Sequence, residues 1–239
     1  MLPNHKIEDR AILFREDYPC VYFDDGRLTT TEYLMPDRKR LQIFHTFLAQ
    51  GYRRLGRLFY RNVCKTCSAC EPLRLELDKF TLSRSQKRTL RKNEDIRIKI
   101  LSRPSVTPEK IKLYEKYIIT KHADNKPGDP LPVLSAMHSG YDRIIEMDYC
   151  IGGKLIAVGI VDEAEDSLSS NYFYYDTDFL DRRPGVLSVI REIYLAKEMH
   201  KKYFYLGFYI ADNKKMSYKN TFRPNQVYKK DKWEEFLSR

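Results

Sequence analysis

A chain of 239 residues with 42% hydrophobic and 13% aromatic side chains can bury a sizeable core, which excludes an intrinsically disordered polymer. Its formal charge is +10, and no apolar run approaches the ~20 residues that a membrane-spanning helix needs. A basic globular protein without such a run points to a polyanionic partner.

The opening residues, MLPNHKIEDR, lack the apolar core of a secretory signal. The expectation is therefore a cytoplasmic protein, in which five cysteines do not suggest disulfides and the three of them spaced by two point to metal or redox chemistry instead. Cys20 lies in DYPCVYFDDGR, where Pro19 and the Asp25-Gly26 pair predict loop and turn on both sides. Over residues 37–50, Leu41, Phe44, Phe47 and Leu48 fall at helical spacing, with Gly51 as the stop.

Residues 51–92 then carry twelve Lys or Arg against three acids, a local charge of +9 that accounts for nearly all of the chain's excess. Such a concentration of cations is the footprint of a phosphate backbone. Embedded in it is CxxCxxC, formed by Cys64, Cys67 and Cys70. Three thiolates leave a tetrahedral centre one ligand short, and Cys20 is the candidate fourth. An iron-sulfur cluster and a zinc ion both fit four thiolates, and the bland alternative is a set of small packed side chains. Leu73, Leu75 and Leu77 alternate with Arg74 and Glu76, the period of a half-buried strand. Ser83 then caps a helix through Arg84, Gln86, Lys87, Arg88, Arg91 and Lys92. Polar on most sides, this helix is either a solvated face, as such helices usually are, or a phosphate-binding one; nearby Arg53, Arg54 and Arg57 bring the second level with the first.

Residues 95–101 alternate again through Ile96, Ile98 and Ile100 and predict a strand. Thr107-Pro108 opens a helix through Ile111, Tyr114, Tyr117 and Ile118. Three prolines and a glycine in residues 124–132 predict a loop. Residues 142–150, 154–162 and 168–175 read as three antiparallel strands, the first two joined at Gly152-Gly153. After a turn at residues 182–185, Val186, Val189, Ile190, Ile193 and Tyr194 define an amphipathic helix leading to an aromatic strand at 203–207. The pattern is α+β.

YRRLGRLFYRNVCKTCSACEPLRLELDKFTLSRSQKR resembles the segment of the arginyl-tRNA protein transferase family that reads GFRRS, then YRP.C..C.AC.PVRV, then SRSQRR. The resemblance is to its bacterial leucyltransferase branch. It resumes at YFYYDTDF (172–179), IREIYLAKE (190–198) and YFYLGFYIADNKKMSYKNTFRP (203–224), so it spans nearly the whole chain. It implies a GNAT-like acyltransferase fold in the C-terminal half, residues 93–239, preceded by an N-terminal cysteine-containing α/β lobe, residues 1–92. It also implies transfer of one amino acid, leucine in the bacterial branch, from aminoacyl-tRNA to proteins that begin with Asp or Glu, which marks them for N-degron (N-end rule) degradation. The partners are then an aminoacyl-tRNA and an acidic N-terminus, with no membrane and no cofactor needed for the transfer step.

For that chemistry the ester is already activated, so ester and α-amine must be held in line and the amine's proton needs an acceptor. Asp176 is the first candidate acceptor, with Ser188 and Tyr218 as further catalytic groups; the bland reading of Asp176 is a turn former. Arg53, Arg54, Arg57, Arg84, Gln86, Lys87 and Arg88 are the expected tRNA contacts. Arg74, Lys219 and Arg223 are the candidates to meet the acceptor's carboxylate. Where the family reads Ser-Leu-Gly-Thr before the amphipathic helix, this chain has Arg183-Pro184-Gly185-Val186. An apolar donor pocket there implies leucine, and one lined by a carboxylate implies arginine. A non-catalytic RNA-binding zinc knuckle and an acyl-CoA-dependent acetyltransferase are the competing readings.

Overall fold

The computed structural model describes residues 12–36, 43–121 and 128–236. A four-stranded antiparallel sheet is built from β1 (Ile12–Pro19), β2 (Leu28–Met35), β3 (Arg53–Leu55) and β4 (Leu58–Asn62), in the order β1-β2-β4-β3. Helix α1 (Phe44–Ala49) stacks Phe44 and Phe47 on Phe59 of β4, with ring centroids 5.1 and 4.8 Å apart. The expected beginning of this helix, residues 37–42, lies outside the described residues. Its end is as expected: Gly51 adopts φ +80° and donates its amide to the carbonyl of Leu48.

The second sheet has eight strands: β5 (Glu71–Glu76), β6 (Arg97–Leu101), β7 (Ile144–Ile151), β8 (Lys154–Glu163), β9 (Ser167–Tyr175), β10 (Tyr203–Tyr209), β11 (Gln226–Lys229) and β12 (Lys232–Glu235). Their spatial order is β12-β11-β5-β10-β9-β8-β7-β6. Gly152 and Gly153, at φ +55° and +89°, make the β7–β8 turn that a two-residue hairpin requires. Helices α2 (Arg84–Lys92) and α5 (Pro184–Glu198) cover one face of this sheet. The other face packs against α1, α3 (Pro108–Lys121), α4 (Leu131–His138) and the smaller sheet.

All pairings in the large sheet are antiparallel except β9 with β10, and that one is brief. Ser167 to Ser169 lie beside Tyr203 to Tyr205 and then the strands part. Beyond this point β10 bulges between Tyr205 and Gly207 and follows β5, while β9 continues along β8 to Tyr175. The sheet therefore opens into a gap in its middle, beneath α5. This is the α+β arrangement the sequence leads one to expect.

Three local expectations are corrected. β5 is buried on both faces rather than one, because it runs inside the sheet and Arg74 is covered as well as its leucines. Part of the expected 124–132 loop opens a helix, α4, with Pro132 in its first turn, where a missing amide costs nothing. The change from one sheet to the other falls between Asn62 and Glu71, earlier than residue 92, so that β5 and α2 run with the large sheet.

Candidate active site

Where β9 and β10 part, each strand keeps carbonyls with no strand partner, and buried groups of this kind need donors. Two cations supply them. Arg53, reaching across from β3 of the other sheet, donates through Nη2 to the carbonyls of Ser170 (2.9 Å) and Asn171 (2.7 Å) on β9. Lys219, in the short 3-10 turn Ser217–Thr221, donates through Nζ to the carbonyl of Phe208 on β10 (2.9 Å). Gly207 makes room for the arrangement. Its φ is +77°, and a Cβ there would fall 1.5 Å from Arg53 Nη1.

Beneath the gap lies Glu192 of α5, with 0% of its surface exposed. Its carboxylate accepts a hydrogen bond from Ser188 Oγ one turn earlier, while Oε2 has no partner among the described residues. Gly159 of β8 faces it: a Cβ there would meet Glu192 Oε1 at ordinary contact distance, 3.5 Å. The buried hydroxyl of Tyr149, on β7, is also unpartnered. Tyr218 is half-buried beside the first turn of α5, its hydroxyl 3.5 Å from where a Cβ on Gly185 would stand. Unsatisfied buried polar atoms are rare in folded proteins, and two in one cluster mark a place prepared for a polar guest.

The electrostatics agree. Burial pushes the Glu192 carboxyl above the usual carboxylate range, against the opposing pull of the Ser188 and Ser170 hydroxyls and of the Lys219 and Arg53 charges. Burial brings Lys219 down to about 7, with the Arg53 charge acting in the same sense and Glu192 opposing it. Burial thus works against the charged form of both the carboxyl and the amine.

Of the residues expected at the site, Ser188, Tyr218 and Lys219 come together here. Arg53 joins them, in the gap rather than on a tRNA-binding surface. Asp176 does not. It accepts from the amide of Asp178 (3.1 Å), is paired with Lys116 and Lys154, and despite partial burial is held below the usual carboxylate range by those partners. It is a turn former already committed to two ammonium groups, so the expectation of a free proton acceptor is corrected. Arg54 is corrected too: its side chain is fully buried, bonded to Asp162 (2.7 Å) and to the carbonyls of Gly56, Met137 and Ser139, and reaches no phosphate. Gln86 completes a capping box with Ser83 and bonds the carbonyl of Thr221, so it too faces inward.

Arg84, Lys87 and Arg88 are exposed on the outer face of α2. Through Gln86, that basic helix abuts the turn that carries Tyr218 and Lys219. Arg57 is exposed in the β3–β4 turn. Arg74 is held between the rings of Tyr203 and Trp233, 4.1 and 4.2 Å from their centroids, and bonded to Gln226, which commits it to packing rather than to an acceptor. Arg223 is exposed and tied to Asn220 and to the carbonyl of Phe236. Sequence reasoning missed Glu192. The signal was an acid four residues after Ser188, among the apolar positions of an amphipathic helix, where a charge has no ordinary reason to be.

A hollow beside this centre, at the start of α5, is lined by Ile96, Tyr149, Ile156, Phe173 and Leu187, with Asp176 among its lining residues. A second hollow is lined by Cys20, Cys64, Cys67 and Cys70. Arg27 donates to Cys67 Sγ (3.3 Å), and burial, with the three neighbouring thiols acting in the same sense, pushes Cys70 up to about 11. Among the described residues, no three His, Cys, Asp or Glu side chains are grouped tightly enough to ligate an ion as they stand.

The mixed sheet thus splits over a buried carboxylate flanked by two cations, a polar centre inside an α+β fold. The chain belongs to the arginine-tRNA-protein transferase family: residues 18–88 match the model of that family's N terminus and residues 109–229 that of its C terminus. It is 36% identical over 234 residues to an aspartate/glutamate leucyltransferase of Shewanella putrefaciens, covering 94% of this chain and 95% of that one. It is 35% identical over 229 residues to the aspartate/glutamate leucyltransferase of Saccharophagus degradans, covering 92% and 94%. Among solved structures it is similar to L-PGS from Bacillus licheniformis, at 13% identity and a TM-score of 0.45, covering 84% of this chain and 70% of that one. No helix among the described residues is long and apolar enough to cross a membrane.

Proposed function

We propose that the protein transfers leucine from leucyl-tRNA to the N-terminal Asp or Glu of cytoplasmic proteins, making them substrates of the N-degron route. The observation that carries this reading is Glu192, a buried carboxylate with an unbonded oxygen at the gap between β9 and β10. A carboxylate so placed attracts an α-ammonium; once that group has given one proton to solvent, Glu192 takes a second from the neutral amine as its nitrogen attacks the ester. The new bond is C–N; the bond that breaks joins the acyl carbon to the 3′ oxygen of the tRNA, and the proton passes from Glu192 to that leaving oxygen. Ser188 orients the carboxylate and Tyr218 covers it from solvent. The outward cations of α2, Arg84, Lys87 and Arg88, stand beside the same turn and suit the phosphates of an acceptor stem.

The donor side chain is best accommodated in the cavity at the start of α5. Its walls are aliphatic and aromatic, and its carboxylate, Asp176, is already matched by Lys116 and Lys154. That favours leucine over arginine. The test is transfer to a Glu-initiated peptide with leucyl-, phenylalanyl- and arginyl-tRNA in parallel, and with acetyl-CoA as a control. Leucine alone should appear on the peptide; arginine in its place would reverse the donor assignment, and no transfer from any tRNA would leave an RNA-binding module.

Cys20, Cys64, Cys67 and Cys70 are the residues that would hold an iron-sulfur cluster or a zinc ion. Such a centre would tie the loop after β1 to the segment between β4 and β5, and the transfer step does not pass through it. Anaerobic purification with metal analysis decides the matter, since a metal-free protein of full activity and stability would retire the idea.

A further inference from the structure

We propose that Arg53 and Lys219 form the specificity site that receives the side-chain carboxylate of the acceptor's first residue, with Gly207 giving the Arg53 guanidinium its room. This rests on the transfer reading above and adds the groups that read the acceptor.

Charge complementarity is the first argument. Elsewhere in the interior Arg54 is matched by Asp162 and Lys110 by Glu146, while Arg74 is enclosed by the rings of Tyr203 and Trp233. In the gap the Arg53 guanidinium and the Lys219 amine, each held by main-chain carbonyls, are offset by a single carboxylate, Glu192. While Lys219 keeps its proton, below about 7, the cluster is short of one negative charge. An N-terminal Asp or Glu presents an ammonium and a carboxylate a few bonds apart, the mirror image of this set. Its ammonium answers Glu192 and its carboxylate answers the cation pair.

Donor geometry is the second argument. Arg53 uses Nη2 for both carbonyls of β9, while Nε and Nη1 have no hydrogen-bond acceptor among the described residues. Nη1 lies against Gly207, in space that any side chain would fill. A guanidinium held by the main chain at one nitrogen, with other donors unspent, is preorganised for an anion. Lys219 is likewise anchored at the Phe208 carbonyl and keeps further donor capacity. A staple between the sheets would need neither the unspent donors nor the second cation.

The experiment compares two peptides that differ only in their first residue, Glu or Gln, with leucyl-tRNA as donor. It measures kcat and KM for the wild-type protein and for Arg53→Gln, Arg53→Lys and Gly207→Ala. The wild type should strongly prefer Glu. In Arg53→Gln the Glu-over-Gln ratio of kcat/KM should fall roughly 30-fold or more, chiefly through KM, because a charged partner is removed from a desolvated site. Arg53→Lys should retain part of the preference, and Gly207→Ala should lose it as Arg53→Gln does, since the added Cβ displaces Nη1. If Arg53→Gln does not fold, these two variants carry the test. A ratio left unchanged while both peptides slow together makes Arg53 a staple only and overturns the proposal. A wild type that treats Glu and Gln alike overturns it while leaving the transfer reading intact, whereas a wild type inert with every donor removes both.

Discussion

Arg54 and Asp162 form a fully buried ion pair, Nη2 to Oδ1 at 2.7 Å, that joins the small sheet to the large one. Asn171 seals it by donating both to Asp162 Oδ2 (2.6 Å) and to the Arg54 carbonyl (3.2 Å). Removing one member leaves the other charged and dry. Arg54→Met should therefore destabilise the protein by about 3–5 kcal/mol. Arg57→Ala, three residues away but exposed, should stay within ~0.5 kcal/mol. Urea unfolding of the two variants checks the contrast.

Glu192→Gln separates chemistry from folding. It removes the proton acceptor and should lower kcat by roughly 100- to 1,000-fold. Because burial raises the Glu192 carboxyl in the folded protein, the native state binds its proton more readily than the unfolded chain, and this residue's contribution to stability falls as pH rises past the usual carboxylate range. The amide escapes that penalty, so Glu192→Gln should be at least as stable as wild type at pH 8. A thermal melt that drops along with the activity would make Glu192 a structural residue.

Lys219 predicts a pH effect of definite sign. Its value is lowered from 10.5 to about 7, so between those limits the unfolded chain holds the proton and the folded one does not. Stability should therefore rise with pH across this window, and Lys219→Met should flatten the rise. On activity the same titration works the other way for the acceptor: as pH climbs through about 7 the cation is neutralised, and KM for a Glu-initiated peptide should increase. A KM independent of pH from roughly 6 to 9 would contradict this.

The outer face of α2 should govern RNA affinity and not turnover. Lys87→Glu and Arg88→Glu should each weaken tRNA binding and make log Kd less steep in log salt, by about 0.7 to 0.9 for every phosphate that is no longer neutralised. Filter binding at several salt concentrations, with single-turnover transfer at saturating tRNA, separates the two effects.

Much of the fold is legible in the sequence, and the reason is local. Ser83 three residues before Gln86, Thr107 before Pro108, and the glycine pair at Gly152-Gly153 each specify an element through neighbours in the chain. The strands β7 to β9 follow from alternation. What stays hidden depends on distant residues. Nothing in a run of arginines tells Arg53 and Arg54, which enter the interior, from Arg57, which stays in water; the carbonyls of Ser170 and Asn171 and the carboxylate of Asp162 that decide it come far later in the chain. Arg74 reads as a free cation because Trp233, which covers it, comes 159 positions further on. Asp176 draws attention because it ends a strand in an aromatic motif, while Glu192 escapes it because the helix that carries it is already accounted for by its apolar stripe. Strands β11 and β12 are short and charged, and only their pairing beside β5 makes them strands.

Consecutive residues of a β-strand point to opposite sides. In β3 this alternation gives two neighbouring arginines unrelated duties: Arg53 is directed to the substrate gap, and Arg54 locks the halves of the molecule together. The strand is a coupling whose phase matters more than its composition. Deleting or inserting one residue between Tyr52 and Gly56 would exchange the two guanidinium groups, aiming the lock at the gap and the reader at the lock, so this three-residue strand should tolerate substitution far better than any change of length.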